Sequence, residues 1–340
     1  MRMRTQSGLS LVELMVAMSL AVLLLAGVLS IFQSSKVTYL TNEKTSRLQE
    51  NGRLALELMV HDLRSAGYGG CARETAFTST LNNSAQTLWN YEQPVQGFES
   101  LNDGDYAPVL DIALAPAPIA DSDVVVIRMP VRDRPIMTLE VDLASATANP
   151  QVPAAAGAVA AGQIMLIANC EATTVFQASG FAVGPPSTVL HAAGGANPGN
   201  ATADLGFQYL ADSRLIPIQT VVYWVGDDGT GPALWRRVGN DAAEILVEGV
   251  QALQAAYGED IDADRVANDY FSADAIDDWD DIISVNLALL ARSEETGLEV
   301  DTSTYELLEP DLGGLTLGPY DDRRQRMLFT TTAALRNRAL

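Results

Sequence analysis

From Leu14 to Phe32 the chain runs nineteen residues without a charge. As a helix that run is long enough to cross a bilayer hydrocarbon core of about 30 Å, whereas a buried helix of a soluble domain is normally shorter or amphipathic. Arg2 and Arg4 precede it, and Lys36 and Lys44 beyond it lead into a strongly acidic remainder. Cationic flanks stay on the cytoplasmic side, so the N-terminus is read as cytoplasmic and everything after Phe32 as exported. A cleaved secretory signal is the competing reading, but no small-residue A-x-A site follows the run, and Phe32-Gln33-Ser34-Ser35-Lys36 continues polar and helical. With 340 residues, the chain has room for this anchor plus one large or two small globular units. Asp and Glu outnumber Lys and Arg by 43 to 21, a formal charge of −22 with no basic stripe, which disfavours nucleic acid as a partner. Two His and two Cys are a poor supply for a zinc site.

A short polar leader ending in Gly8 stands before the run, followed by Leu9-Ser10-Leu11-Val12-Glu13. This pattern resembles the type III signal of type IV prepilins and type II secretion pseudopilins. The resemblance implies that a prepilin peptidase cuts between Gly8 and Leu9 and methylates Leu9, and that the apolar helix is kept as anchor and later as the packing core of a filament. Glu13 opens the uncharged span. A carboxylate placed centrally there costs about 2.5–3.5 kcal/mol on insertion scales, so such groups usually have a partner. The plain alternative is a side chain reaching the headgroups, since Glu13 lies about 6 Å from Leu9 along a helix. The resemblance implies instead that Glu13 pairs with the α-amine of Leu9 on a neighbouring subunit. That attraction is about 4 kcal/mol at 4 Å and an effective dielectric of 20, before desolvation, and it fixes register because an unpaired buried charge is penalised elsewhere.

No proline occurs before Pro94, and nothing from Ser10 to Ala66 forces a helix to stop; the span predicted is about 85 Å. Beyond the anchor, Val37, Leu40, Leu48, Asn51, Leu54, Leu58 and Leu63 recur at helical spacing, which predicts one covered face, and Gly67 supplies a left-handed stop. Ser46-Arg47-Leu48-Gln49-Glu50-Asn51-Gly52-Arg53, continuing from Leu54 to Cys71, resembles the PilW-type minor pilins. Val221 to Val225, Glu244 to Val250, Tyr257-Gly258, Trp279 and Leu335 to Arg338 agree in order. The likeness spans most of the chain and is weakest between Glu74 and Asp212.

After Cys71 the sequence reads as strands: Val124 to Met129, a continuous apolar run buried on both faces, and Ile282 to Leu290, whose alternation predicts a half-buried antiparallel strand. Further strands are expected at Ile136 to Val141, Gln163 to Ala168, Leu215 to Val225, Ala233 to Val238, Gln251 to Tyr257 and Met327 to Leu335. Ala144 to Gly162 and Gly184 to Asp204, rich in Ala, Gly and Pro, are read as surface loops. The expected fold class is therefore α+β and type IV pilin-like: a long N-terminal helix, its first half transmembrane, packed on an antiparallel β-sheet domain with long loops. The expected segments are a cleaved leader (1–8), a transmembrane half (9–33), an amphipathic periplasmic half (34–70) and a periplasmic β-rich domain (71–340).

In an oxidising compartment Cys71 and Cys170 tend to pair, with up to about 4.7 kcal/mol from closing a loop of about a hundred residues; two buried free thiols are the alternative. Glu259 to Asp281 holds ten carboxylates against Arg265. Asp260, Asp262 and Asp264 copy the opening of a calcium loop, but Arg265 stands where its turn glycine belongs and Phe271 where its bidentate Glu belongs. A solvated acidic segment is the reading preferred over this weak calcium candidate, and no cofactor is expected. Arg323, Arg324 and Arg326 are read as a solvated strand edge, the four Trp as packing, and His61 and His191 as bland. No G-x-S-x-G, Walker A or H-E-x-x-H motif is present, so no enzyme is expected.

The likeness to PilW-type proteins implies a minor pilin that helps initiate type IV pilus assembly in a priming and tip complex, supporting twitching motility and adhesion. Its expected partners are the prepilin peptidase, other minor pilins, the major pilin, a tip adhesin and the inner membrane; its expected site is the inner membrane and then the pilus tip. A type II secretion pseudopilin and a membrane-anchored adhesin using the pilin export route are the rival readings.

Overall fold

The computed structural model describes residues 10–70, 76–101, 104–154, 159–294, 296, 301–309 and 314–338. It falls into two compact units, Met1–Arg47 and Leu48–Leu340. Helix α1, Leu11–Ser65, runs through both. In the first unit its apolar side chains stand exposed, from Leu11 at 74% to Phe32 at 66%, and the window apolar enough to cross a membrane has no buried residue.

In the second unit, the end of α1 is buried through Leu48, Gly52, Ala55, Leu56, Met59, Val60, Asp62 and Leu63. This corrects the expected stripe, because Val37 and Leu40 are each 40% exposed and Leu54 is 43% exposed. The buried face is centred on the small residues Gly52 and Ala55, which let the helix backbone come close. A Cβ at Gly52 would lie 2.2 Å from the Phe329 ring, so the aromatic ring occupies the space a larger residue would need. The helix stops at Gly67, whose φ of 65° suits glycine and whose N–H donates to the Arg128 carbonyl at 3.0 Å.

Arg214–Asp227, a strand of fourteen residues, organises a ten-stranded sheet. It pairs antiparallel with Ile164–Ala168, Met137–Thr138, Val124–Pro130 and Pro232–Val238 along successive parts of its length. Ala76–Ser79 runs parallel to Ala172–Gln177, so the sheet is mixed at this edge and not wholly antiparallel as expected. A second, four-stranded antiparallel sheet has the order Asp269–Phe271, Val250–Glu259, Ile282–Arg292, Arg326–Ala334. The main core joins α1 to both sheets through Met59, Leu63, Ile127, Tyr223, Leu253 and Leu287 among others. Each fully buried side chain of this size contributes about 1.5–3 kcal/mol. On the other face of Val124–Pro130, Val124 and Val126 pack with Val222, Trp224 and Trp235, which explains its unbroken apolar run.

Three expectations change. Ile282–Arg292 is buried on both faces, because a hairpin of Tyr305–Leu307 and Leu315–Leu317 lays Leu307 on Ala288 and Leu290. The expected strand Ile136 to Val141 shrinks to Met137–Thr138. The two Ala/Gly/Pro stretches are not plain surface loops: Gln151–Val152 and Ser187–Leu190 join Gly180–Ala182 in a small sheet, and Val152, Val159 and Val189 are buried in a third core.

Candidate functional site

At the start of α1 the Glu13 N–H donates to Ser10 Oγ at 3.2 Å, and the Ser10 N–H donates to Glu13 Oε2 at 3.3 Å. This is a capping box, in which two otherwise orphaned amide donors are satisfied reciprocally. Its sequence signal, Ser10 followed three residues later by Glu13, was open to reading. Gly8 and Leu9 lie outside the described residues.

The docked end of the helix carries a buried polar cluster that hydrophobic periodicity does not reveal. Asp62, 1% exposed, accepts a hydrogen bond from Tyr223 Oη at 2.5 Å and also pairs with the Arg132 guanidinium. Burial and the adjacent Asp62 charge push the Tyr223 hydroxyl far above its ordinary range. His61 Nδ1 lies 2.7 Å from the same arginine. The C-terminal tail closes the helix end, where Asn337 Nδ2 donates to the Ala66 carbonyl at 2.8 Å.

Cys170 takes part in a disulfide, and no described cysteine is free; Cys71 lies outside the described residues. Asp260, Asp262 and Asp264 do come together, with carboxylate oxygens within 4.8 Å of one another. The buried Asp260, however, already accepts the backbone N–H groups of Asp264 at 3.1 Å and Arg265 at 2.9 Å, closing its own turn. The acidic segment is only partly solvated, since Trp279 packs edge-on against Tyr257 at 4.8 Å and Arg338 pairs with Asp280 at 2.8 Å.

The arginines near the C-terminus are corrected at Arg326, which is buried instead of solvated. It donates to both oxygens of Asp322 at 2.7 Å and to Asp301 at 3.2 Å, and lies 3.5 Å over the Tyr320 ring. The Arg326 hydrogen bonds first, and then the Arg324 backbone N–H, hold the Asp322 carboxyl down at about 2 against its burial. A cavity of about 470 Å³ opens where Tyr68, Phe77 and Tyr91 face Asp281 and Arg338. Among the described residues its lining has no histidine, serine or cysteine.

Residues 3–29 match the prokaryotic N-terminal methylation motif. With a long apolar helix ahead of a β-rich domain, this defines the class of pilin-like proteins that a prepilin peptidase processes. Residues 222–337, which include the four-stranded sheet, match the family described as type IV pilus-assembly protein W. Together the two matches support a PilW-type minor pilin of the type IV pilus. Comparison with curated proteins and with solved structures gives no match.

Proposed function

We propose that this minor pilin acts within a small complex of minor pilins that primes a type IV pilus and then stays at its tip, supporting twitching motility and adhesion. The observation that carries the reading is the coexistence in one chain of an N-methylation motif at the start of a helix whose stretch from Leu14 to Phe32 is uncharged and uncovered, and a part that matches the PilW family model. Such a helix serves first as an inner-membrane anchor and then as packing surface for neighbouring subunits.

In this reading the peptidase cuts between Gly8 and Leu9 and methylates Leu9, leaving residues 9–33 in the membrane and 34–340 in the periplasm, with Glu13 set to pair with a neighbour's α-amine. Cys71 and Cys170 form the bridge that ties the base of the helix to the sheet, consistent with the bonded state of Cys170. Deletion and complementation in the native host test the role: loss of surface pili with unchanged enzyme secretion supports it. Lost secretion with intact pili would contradict it and favour the pseudopilin reading.

A further inference from the structure

The cavity of about 470 Å³ just past the end of α1 falls within the size range of small-molecule sites, about 300–1,000 Å³, and the assembly role proposed above does not use it. Its walls come from separate parts of the second unit: Tyr68 and Gly69 follow the helix, Phe77 stands on Ala76–Ser79, Tyr91 and Glu92 precede Val95–Ser100, and Asp281 and Arg338 come from the acidic segment and the C-terminal tail. The three aromatic residues are half-buried and pack against the core that holds Leu166, Ile218 and Trp224. Phe77 is held in register opposite Thr173. Tyr68 Oη accepts from Arg214 Nη1 at 2.9 Å, which leaves its own proton to donate elsewhere. The rings are therefore fixed before anything binds, which spares a ligand the entropy of ordering them.

The charged groups of the lining decide which ligands fit. Arg338 is engaged by Asp280, through Nη1 to the carbonyl and through Nη2 to Oδ1 at 2.8 Å. Arg128, 2% exposed, donates to the carbonyls of Gln93 at 2.6 Å and Thr87 at 2.5 Å and to Gln96 Oε1 at 3.0 Å, and its Nε is sealed from solvent. Among the described residues of the lining, no cation is left to receive a phosphate or a carboxylate. The exposed carboxylates of Glu92 and Asp281, by contrast, accept no hydrogen bond from any described residue. A wholly apolar ligand would strip water from both without replacing it. A molecule that meets every wall has hydroxyls that donate to the two carboxylates, hydroxyls that accept from Tyr68, and C–H faces that lie against the rings.

We propose that this cleft binds a short neutral saccharide, with Phe77 and Tyr91 as the stacking surface and Glu92, Asp281 and the Tyr68 hydroxyl as the groups that orient the sugar. Carboxylates accepting from hydroxyls form charge-assisted hydrogen bonds, the stronger class, and the ring faces exclude water from the sugar's apolar side. The site belongs to the globular part alone, so it stands whether or not the chain primes a pilus.

Isothermal titration of the full-length chain in lipid nanodiscs tests this, with cellobiose, maltose, lactose and diacetylchitobiose as neutral probes and choline and glucose 6-phosphate as charged ones. A dissociation constant of about 1 mM or lower is expected for at least one neutral disaccharide, and no binding of either charged probe. Phe77→Ala and Asp281→Asn should each weaken the disaccharide about tenfold. Gly69 offers a way to block the cleft without disturbing the fold, because a Cβ there meets no heavy atom within 4 Å. Gly69→Phe should abolish binding and leave the melting temperature unchanged. The proposal is overturned if no neutral disaccharide binds at about 10 mM, or if binding survives in Gly69→Phe. Binding of choline would also overturn it, since the rings and carboxylates would then form an ammonium site, and so would binding of glucose 6-phosphate with no neutral sugar bound.

Discussion

At position 62 a carboxylate stands where the buried stripe of α1 calls for an apolar side chain. Its acceptance of Tyr223 and Arg132 turns a burial cost into an orientation device, since only one rotation of the helix brings Asp62 under both donors. Asp62→Ala leaves those donors unpaired and should lower unfolding stability by about 2–4 kcal/mol. Tyr223→Phe, which removes only the donor, should cost about 1 kcal/mol; chemical denaturation of the two variants reads the difference. Gly52→Val drives a branched side chain into the Phe329 ring and should cost about 1–3 kcal/mol as overpacking. None of these positions was legible from apolar periodicity. That pattern weighs large side chains such as Leu54, whereas the dock is set by the two small residues that allow closest approach and by one charged group. The Ser10–Glu13 capping box was legible in principle, but a carboxylate beside an apolar span draws attention to its charge before its backbone partner.

At the scale of elements, the strands with unbroken or strongly alternating apolar runs were readable, and Val124–Pro130, Arg214–Asp227 and Val250–Glu259 lie where the sequence puts them. What escaped were Val95–Ser100 and Ala172–Gln177, whose polar and small residues break any apolar alternation, and the shorter strands, including the small sheet inside the Ala/Gly/Pro stretches, because two to four residues carry too little period to register. The joint between the ten-stranded and four-stranded sheets escaped for another reason: Asp123, which accepts from Gln254 Nε2 and Ala255 N, is far from them in sequence and meets them only in the fold. It nonetheless has a thermodynamic signature. Glu99, whose charge acts on Asp123, is raised chiefly by burial to a folded pKa of about 7 against an ordinary 4.5, so between those values the folded protein holds a proton that the unfolded chain releases. Stability therefore falls as pH rises across that window. The melting temperature should be higher near pH 5.5 than near pH 8, a difference that Glu99→Gln should reduce. Cys71→Ser should lower the melting temperature under oxidising conditions and leave it unchanged under reducing ones. An unchanged value in both would mean that the bridge contributes nothing.

At the scale of the whole molecule, two parts with different tasks share one helix. The anchor half is uncovered and, from Leu14 to Phe32, uncharged, while the other end is built into a domain with three substantial cores. The anchor and the W-type family were legible because membrane spans and leader motifs are local in sequence. The middle of the chain was legible only in strands such as Val124–Pro130 and Ile164–Ala168; the way they pair was not, since it depends on long-range contacts. Glu13→Ala should leave insertion and processing largely intact while lowering incorporation into pili, measured as the subunit's share in sheared filaments. Unchanged incorporation would remove the ion pair from the account. The most direct test of the central claim is intact-mass spectrometry of the chain from a host with a prepilin peptidase and from one without. The account predicts loss of Met1 to Gly8 and gain of one methyl group only where the peptidase is present; an uncut chain, or one cut after the apolar run, would contradict it.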